Sequence, residues 1–179
     1  MKKLRMATCS LAGCFGCHMS LLDVDERLLT LLERVDLDRT PLTDLKQVGP
    51  EVDLGLIEGG VCNAENVHVL REFRARCRIL VAVGECAISG GVPALRNHFT
   101  LRECLETTYL DGVGVDNPQI PNDPELPLLL SKVHPIHEVV KIDHYLPGCP
   151  PSADAFFHFL SRLAAGQDPT LPAALLRYD

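Results

Sequence analysis

The stretch RILVAVGEC, residues 78–86, is apolar at every position from Ile79 to Val83 and then halts at Gly84. A strand with one wet face alternates apolar and polar residues. A short unbroken apolar run closed by glycine instead predicts a strand covered on both faces. Such strands occur in parallel sheets, whose long crossover connections are usually helices packed on either side. VDLGLIEGG (52–60) has the same character and ends in Gly59-Gly60, and KLRMATCSL (3–11) is a further apolar run that gives way to Ala12-Gly13.

Helical spacing fills the intervals. From His18 to about Val35, leucines at 21, 22, 28, 29, 31 and 32 alternate with Asp25, Glu26, Glu33 and Arg34, which predicts one amphipathic helix. Asn63 to Arg76 predicts a second, and another is expected to begin near Val92. Ser152 to Ala165 predicts a final helix, with Ser152 as its cap and Gly166 as its stop. HEVVKIDHYLPGCPP (137–151) reads as a further strand followed by a proline-rich turn, and Arg34–Asp38 as a short fifth strand. The expected fold class is α/β: a flavodoxin-like open, mainly parallel sheet with helices on both faces. The expected organisation is a single domain over 1–179. An insertion around 111–137 holds prolines at 118, 121, 124, 127 and 135, too many for a core strand, and reads as an ordered loop or a partner-binding arm.

The balance of 17 basic against 24 acidic residues gives a net charge of −7, which argues against nucleic acid and anionic membranes as partners. No stretch approaches the roughly 18 apolar residues of a membrane span. Lys2 and Lys3 faintly imitate the head of a secretory signal, but Arg5 interrupts what would be its apolar part, so a cytoplasmic location is expected. In a reducing compartment eight cysteines are not a disulfide framework, and clustered ones point to metal or redox chemistry.

Parallel sheets place ligands beyond the carboxyl ends of their strands. Cys14 and Cys17 follow the first strand, Cys86 follows the strand at 78–83, and Cys149 follows the last. Three loops are thus expected to bring four cysteines to one edge. Gly13, Gly16, Gly84 and Gly148 beside them let backbone N–H groups approach sulfur. Four thiolates suit tetrahedral zinc or a [4Fe–4S] cluster. Structural zinc usually takes two close pairs, whereas here one pair joins two single cysteines, a spacing that favours the cluster. A thiol–disulfide enzyme using Cys14 and Cys17 is the third reading and requires an accessible low-pKa thiol.

Cys9, Cys77 and Cys104 read as buried structural thiols, and Cys62, after Gly59-Gly60, as a neighbour of the site. His134, His137 and His144 lack metal-ligand spacing. Glu58 and Glu85 stand at strand ends beside the proposed site, either as participants in proton or hydrogen-bond chemistry or as acceptors for N–H groups of the glycine turns. No G-x-S-x-G, P-loop or post-strand G-x-G-x-x-G is present, and the loop after the first strand carries cysteines where a flavin-binding fold would place phosphate-binding Ser and Thr.

Taken together, Cys14-x2-Cys17, Gly84-Glu85-Cys86-Ala87-x2-Gly90-Gly91 and Pro147-Gly148-Cys149-Pro150-Pro151 resemble the small subunits of nickel–iron hydrogenases and the related cluster-bearing subunit of respiratory complex I. The complex I subunit has two adjacent cysteines in the first motif; here Phe15-Gly16 separates them, which favours the hydrogenases. The short chain, with IPNDPELPLLL and HEVVKIDHYLPGCPPSADA, is similar to small subunits of the cytoplasmic NAD-reducing type. The resemblance implies one [4Fe–4S] cluster held by Cys14, Cys17, Cys86 and Cys149, with no catalytic residue in this chain. It implies a large-subunit partner holding the nickel–iron centre. Diaphorase partners would hold further iron–sulfur clusters, FMN and the NAD site. Oxygen-tolerant relatives carry two extra cysteines, at positions matching Gly16 and Gly91 here, so a four-cysteine cluster is implied. FMN in this chain is not expected.

Overall fold

The computed structural model describes residues 3–176. In chain order the elements are β1 (Leu4–Ser10), α1 (Gly16–Leu22), α2 (Arg27–Leu32), β2 (Val35–Leu37), β3 (Val52–Glu58), β4 (Val61–Asn63), α3 (Ala64–Arg76) and β5 (Cys77–Val83). They continue with α4 (Gly84–Ser89), α5 (Leu101–Tyr109), β6 (Leu129–His134), β7 (His144–Leu146) and α6 (Ala153–Ala164). Five strands form one parallel sheet in the order β2-β1-β3-β5-β7, and β4 pairs antiparallel with β6 in a separate ribbon. Without that ribbon the order is the flavodoxin-like one, with its switch point between β1 and β3.

The two-faced apolar pattern has a direct structural cause. Leu54 and Leu56 of β3 and Val81 and Val83 of β5 point to one side, where they meet Leu21, Leu31, Phe156 and Phe159 from α1, α2 and α6. The alternate residues Ile57, Leu80 and Ala82 point to the other side and meet Leu70 and Phe73 of α3. Gly55 is required by this second face: a Cβ there would stand 2.7 Å from Leu80 Cδ1 and 2.8 Å from Cys77 Sγ.

Four local expectations change. The helix expected over His18 to Val35 is two helices, α1 and α2, because Val24 turns inward to 1% exposure and Asp25 takes a left-handed φ of 60°. Helical periodicity counted Leu29, which is 70% exposed, as though it faced the core. The final strand shrinks to His144–Leu146, since His137 and Glu138 are consumed by a 3-10 turn and Val139, Val140 and Ile142 pack on the α3 face from irregular backbone. From Val92 to His98 the chain is 3-10, with Pro93 in its first turn, and α5 begins only at Leu101. Residues 129–134, grouped with the proline-bearing insertion, form strand β6 between Pro127 and Pro135. Among the described residues no helix is long and apolar enough to cross a membrane. Lys2, in the signal-like N-terminus, lies outside them.

Candidate cysteine-lined metal site

Because β1, β3, β5 and β7 are parallel, their carboxyl ends share one edge of the sheet, and the loops that leave them are braced together there. Ala12 and Gly60 exchange backbone hydrogen bonds at 3.0 and 2.8 Å, joining the loops after β1 and β3. Gly59, at φ 86°, permits this approach; a Cβ would lie 2.8 Å from the Leu11 backbone. The Glu85 N–H donates to Gly148 O at 3.0 Å, joining the loops after β5 and β7. Ser20 Oγ donates to Pro151 O at 2.5 Å, joining α1 to the last loop.

Cys14, Cys17, Cys86 and Cys149 line one cavity of about 80 Å³, together with Glu58, Glu85 and the backbones of Gly13, Gly59 and Gly148. The structure thus brings the sequence-predicted cysteines to one place. Cys14 and Cys149 are exposed at its mouth, whereas Cys17 and Cys86 are half-buried. Three glycines make room for sulfur. A Cβ at Gly84 would collide with Cys17 Sγ, one at Gly91 would lie 3.0 Å from Cys86 Sγ, and one at Gly16 would lie 3.1 Å from Cys14 Sγ. The Gly16 N–H also donates to Cys14 Sγ at 3.4 Å. The donor set, four thiols around a space with backbone N–H nearby, fits a thiolate-bound cluster. Among the described residues no group of three or more His, Cys, Asp or Glu side chains is placed to hold a single metal ion.

The thiols feel one another. Burial pushes the Cys17 thiol well above the ordinary cysteine range, and Glu58 and the thiols of Cys86 and Cys14 add to it. Burial likewise raises Cys86, followed by Cys149 and Cys14. Cys17 therefore moves in the opposite direction from the low-pKa thiol that disulfide exchange needs; a bound cation reverses this logic by stabilising thiolates.

Glu58 is 3% exposed, and of its two expected readings the contacts are those of a hydrogen-bonding carboxylate. Its Oε2 accepts the Cys17 N–H at 2.9 Å, not an N–H of the glycine turns. Its Oε1 lies 2.9 Å from His18 Nδ1, and His18 Nε2 lies 2.8 Å from Thr8 Oγ1. Burial opposes ionisation of Glu58, but contacts with His18, Ser10 and Cys17 outweigh it and hold the carboxyl below its usual range. His18, stacked on the Phe15 ring at 4.6 Å, was not singled out from the sequence. Its signal was its place directly after Cys17, on the helical turn that faces the strand ends. Glu85 lines the cavity from the first turn of α4.

The remaining candidates lie apart. Cys62 does not line the cavity; its Sγ donates to Asn66 Oδ1 at 3.3 Å. Burial pushes the Cys77 thiol to about 12 and the half-buried Cys9 thiol to about 11. Cys104 is half-buried, not enclosed, because α5 does not enter the core. His134 Nδ1 lies 2.6 Å from Glu138 Oε2, His137 packs against Tyr145, and His144 against Phe159, so the three do not converge.

Residues 14–163 match the family described as NADH ubiquinone oxidoreductase, 20 Kd subunit. The chain is 47% identical to the NAD-reducing hydrogenase HoxS subunit delta of Cupriavidus necator, across 99% of this chain and 86% of that one. The chain belongs to the hydrogenase small-subunit family. It is 35% identical to a subunit of the F420-non-reducing hydrogenase of Methanococcus voltae, covering 97% of this chain and 61% of the relative. Its fold superposes on a chain of an NAD+-reducing [NiFe]-hydrogenase crystallised in the H2-reduced state, with a TM-score of 0.96, 57% identity and coverage of 99% and 100%. A [NiFeSe]-hydrogenase from Dm. baculatum shares the fold at TM-score 0.60 and 18% identity. The relatives compared are subunits of hydrogenases, and two of them come from NAD-reducing enzymes.

Proposed function

We propose that the chain is the electron-transfer subunit of a cytoplasmic NAD-reducing hydrogenase, with Cys14, Cys17, Cys86 and Cys149 holding one [4Fe–4S] cluster. The observation that carries this reading is the convergence of four thiols from three loops on one glycine-lined cavity. When bound, such a cluster supplies one-electron oxidation and reduction, within the roughly −700 to +450 mV that these centres span. The polypeptide presents the Gly16 N–H to Cys14 and partly shields Cys17 and Cys86 from water. Glu58 anchors the Cys17 backbone. As one domain over 1–179, the chain stands between a large subunit that splits hydrogen at nickel and iron and diaphorase subunits that carry clusters, FMN and the NAD site.

Substitution of Cys86 or Cys149 by serine in the assembled complex tests this. Loss of iron from this chain together with loss of hydrogen-dependent NAD+ reduction is expected. An intact cluster after either change would defeat the assignment of ligands. One zinc per chain without visible absorbance would favour the zinc scaffold instead.

A further inference from the structure

Helix α5 buries none of its nine residues. Leu101, Leu105 and Tyr109 nevertheless recur at i, i+4 and i+8 and make one apolar stripe. The helix is secured by its own ends and surface. Thr100 Oγ1 accepts the Glu103 N–H at 3.2 Å, the Glu103 carboxylate accepts the Thr100 N–H at 2.7 Å, and Arg102 pairs with Glu106 at 2.7 Å. Its apolar stripe is left facing a cleft of about 400 Å³, whose opposite wall holds Ile120, Leu126 and Leu128. Leu126 is 51% and Leu128 80% exposed. Prolines at 121, 124 and 127 stiffen that wall, so an occupant would find it largely pre-ordered. A rigid open apolar cleft of this kind marks an interaction site.

Charge selects the occupant. From 100 to 129 the chain carries Glu103, Glu106, Asp111, Asp116, Asp123 and Glu125 against one cation, Arg102, already paired with Glu106. Asp123 lines the cleft and the segment that builds it is strongly acidic, which disfavours nucleic acid and anionic lipid. A second copy of a chain with net charge −7 would set the same acids against themselves. We propose that this cleft seats an amphipathic helix of a partner subunit, with Lys or Arg flanking its apolar face. Nine residues of α5 extend about 14 Å, enough for roughly two turns of such a helix to anchor at i, i+3 or i+4, and i+7. The seat is linked to the cysteine edge through one intervening segment: α5 packs on the 3-10 segment Val92–His98, which packs on α4, the helix of Cys86. The proposal extends the proposed function, since it rests on this chain working inside a hetero-oligomer.

The test uses the purified complex. A photo-crosslinking residue at position 128 is expected to capture a Lys- or Arg-flanked helical peptide of a partner subunit. The Leu126→Asp/Leu128→Asp double variant is expected to weaken subunit association by about tenfold or more, and added salt to weaken association of the unsubstituted complex. Capture of a second copy of this chain, absence of any cross-link, or unchanged association in the double variant would overturn the cleft assignment. Iron measured on the same samples separates the two claims. Iron missing from the unsubstituted complex sinks the cluster reading, whereas iron retained with association unchanged sinks only the docking site.

Discussion

The carboxyl edge of the sheet and the arm from Thr100 to Leu128 are both built largely of short turns, yet they are secured by largely opposite means. At the edge, backbone from distant segments is cross-tied: Ala12 to Gly60, Glu85 to Gly148, Cys17 to the buried Glu58. In the arm, nearest neighbours do most of the work, through the Thr100–Glu103 box, the Arg102–Glu106 pair and the prolines of the cleft wall, and a distant tie, from the Ala64 N–H to Leu128 O at 2.9 Å, fixes its far end. The first arrangement holds four sulfurs in a fixed relation to one another. The second keeps a helix formed while its apolar side stays uncovered. Long-range ties suit a ligand that must be gripped from several directions, and local ties suit a surface awaiting a partner.

That contrast predicts a graded set of effects. Glu58→Ala should be the most damaging, because it leaves the Cys17 N–H without its acceptor and the buried His18 without its carboxylate neighbour. Thermal or chemical denaturation is expected to show about 3 kcal/mol lost, with reduced iron content; an unchanged midpoint would remove the central tie from the account of the edge. Asp38→Asn should come next, near 2 kcal/mol. Asp38 lies at the exit of β2, 5% exposed, and accepts the Gly49 and Arg39 N–H groups and the Arg5 guanidinium. Burial works against its ionisation, but those three donors prevail and hold its carboxyl below the ordinary range. The sign follows from linkage: the stabilisation is complete above the unfolded value of about 3.9 and is lost as pH falls through the lower folded value. Acid titrations of the two proteins should therefore converge at low pH.

Gly84→Ala should cost about 1–2 kcal/mol from its left-handed backbone at φ 77°. Its sharper effect should be on metal: the new Cβ displaces Cys17 Sγ, and iron per chain is expected to fall more than stability does. In the arm, Thr100→Ala should cost about 1 kcal/mol, confined to α5. Hydrogen exchange is expected to quicken over Leu101–Tyr109 and nowhere else, with global unfolding and iron content unmoved. A global loss from Thr100→Ala would show that α5 is tied to the core after all.

Much of the edge was legible in the sequence because parallel strands impose a direction. Once 52–58 and 78–83 are read as strands covered on both faces, whatever follows them must lie at one edge, and Cys14, Cys17, Cys86 and Cys149 all follow strands. Period and punctuation carried that reading. They failed where a single side chain decides the outcome. The break at Val24-Asp25 depends on Val24 finding the core, which leucine spacing does not reveal. Strand β6 exists because β4 offers it an edge, and no local propensity announces that pairing between two prolines. His18 and its contact with Glu58 join positions forty residues apart in sequence; only the assembled sheet shows that they meet.

The most direct measurement is iron and acid-labile sulfide in the anaerobically purified chain within its complex, with low-temperature EPR after reduction by hydrogen. About four iron and four sulfide per chain, with a paramagnetic signal that disappears in Cys149→Ser, is the predicted result. A colourless chain carrying one zinc, or an unaltered cluster signal without Cys149, would contradict the claim that these four thiols share a single iron–sulfur centre.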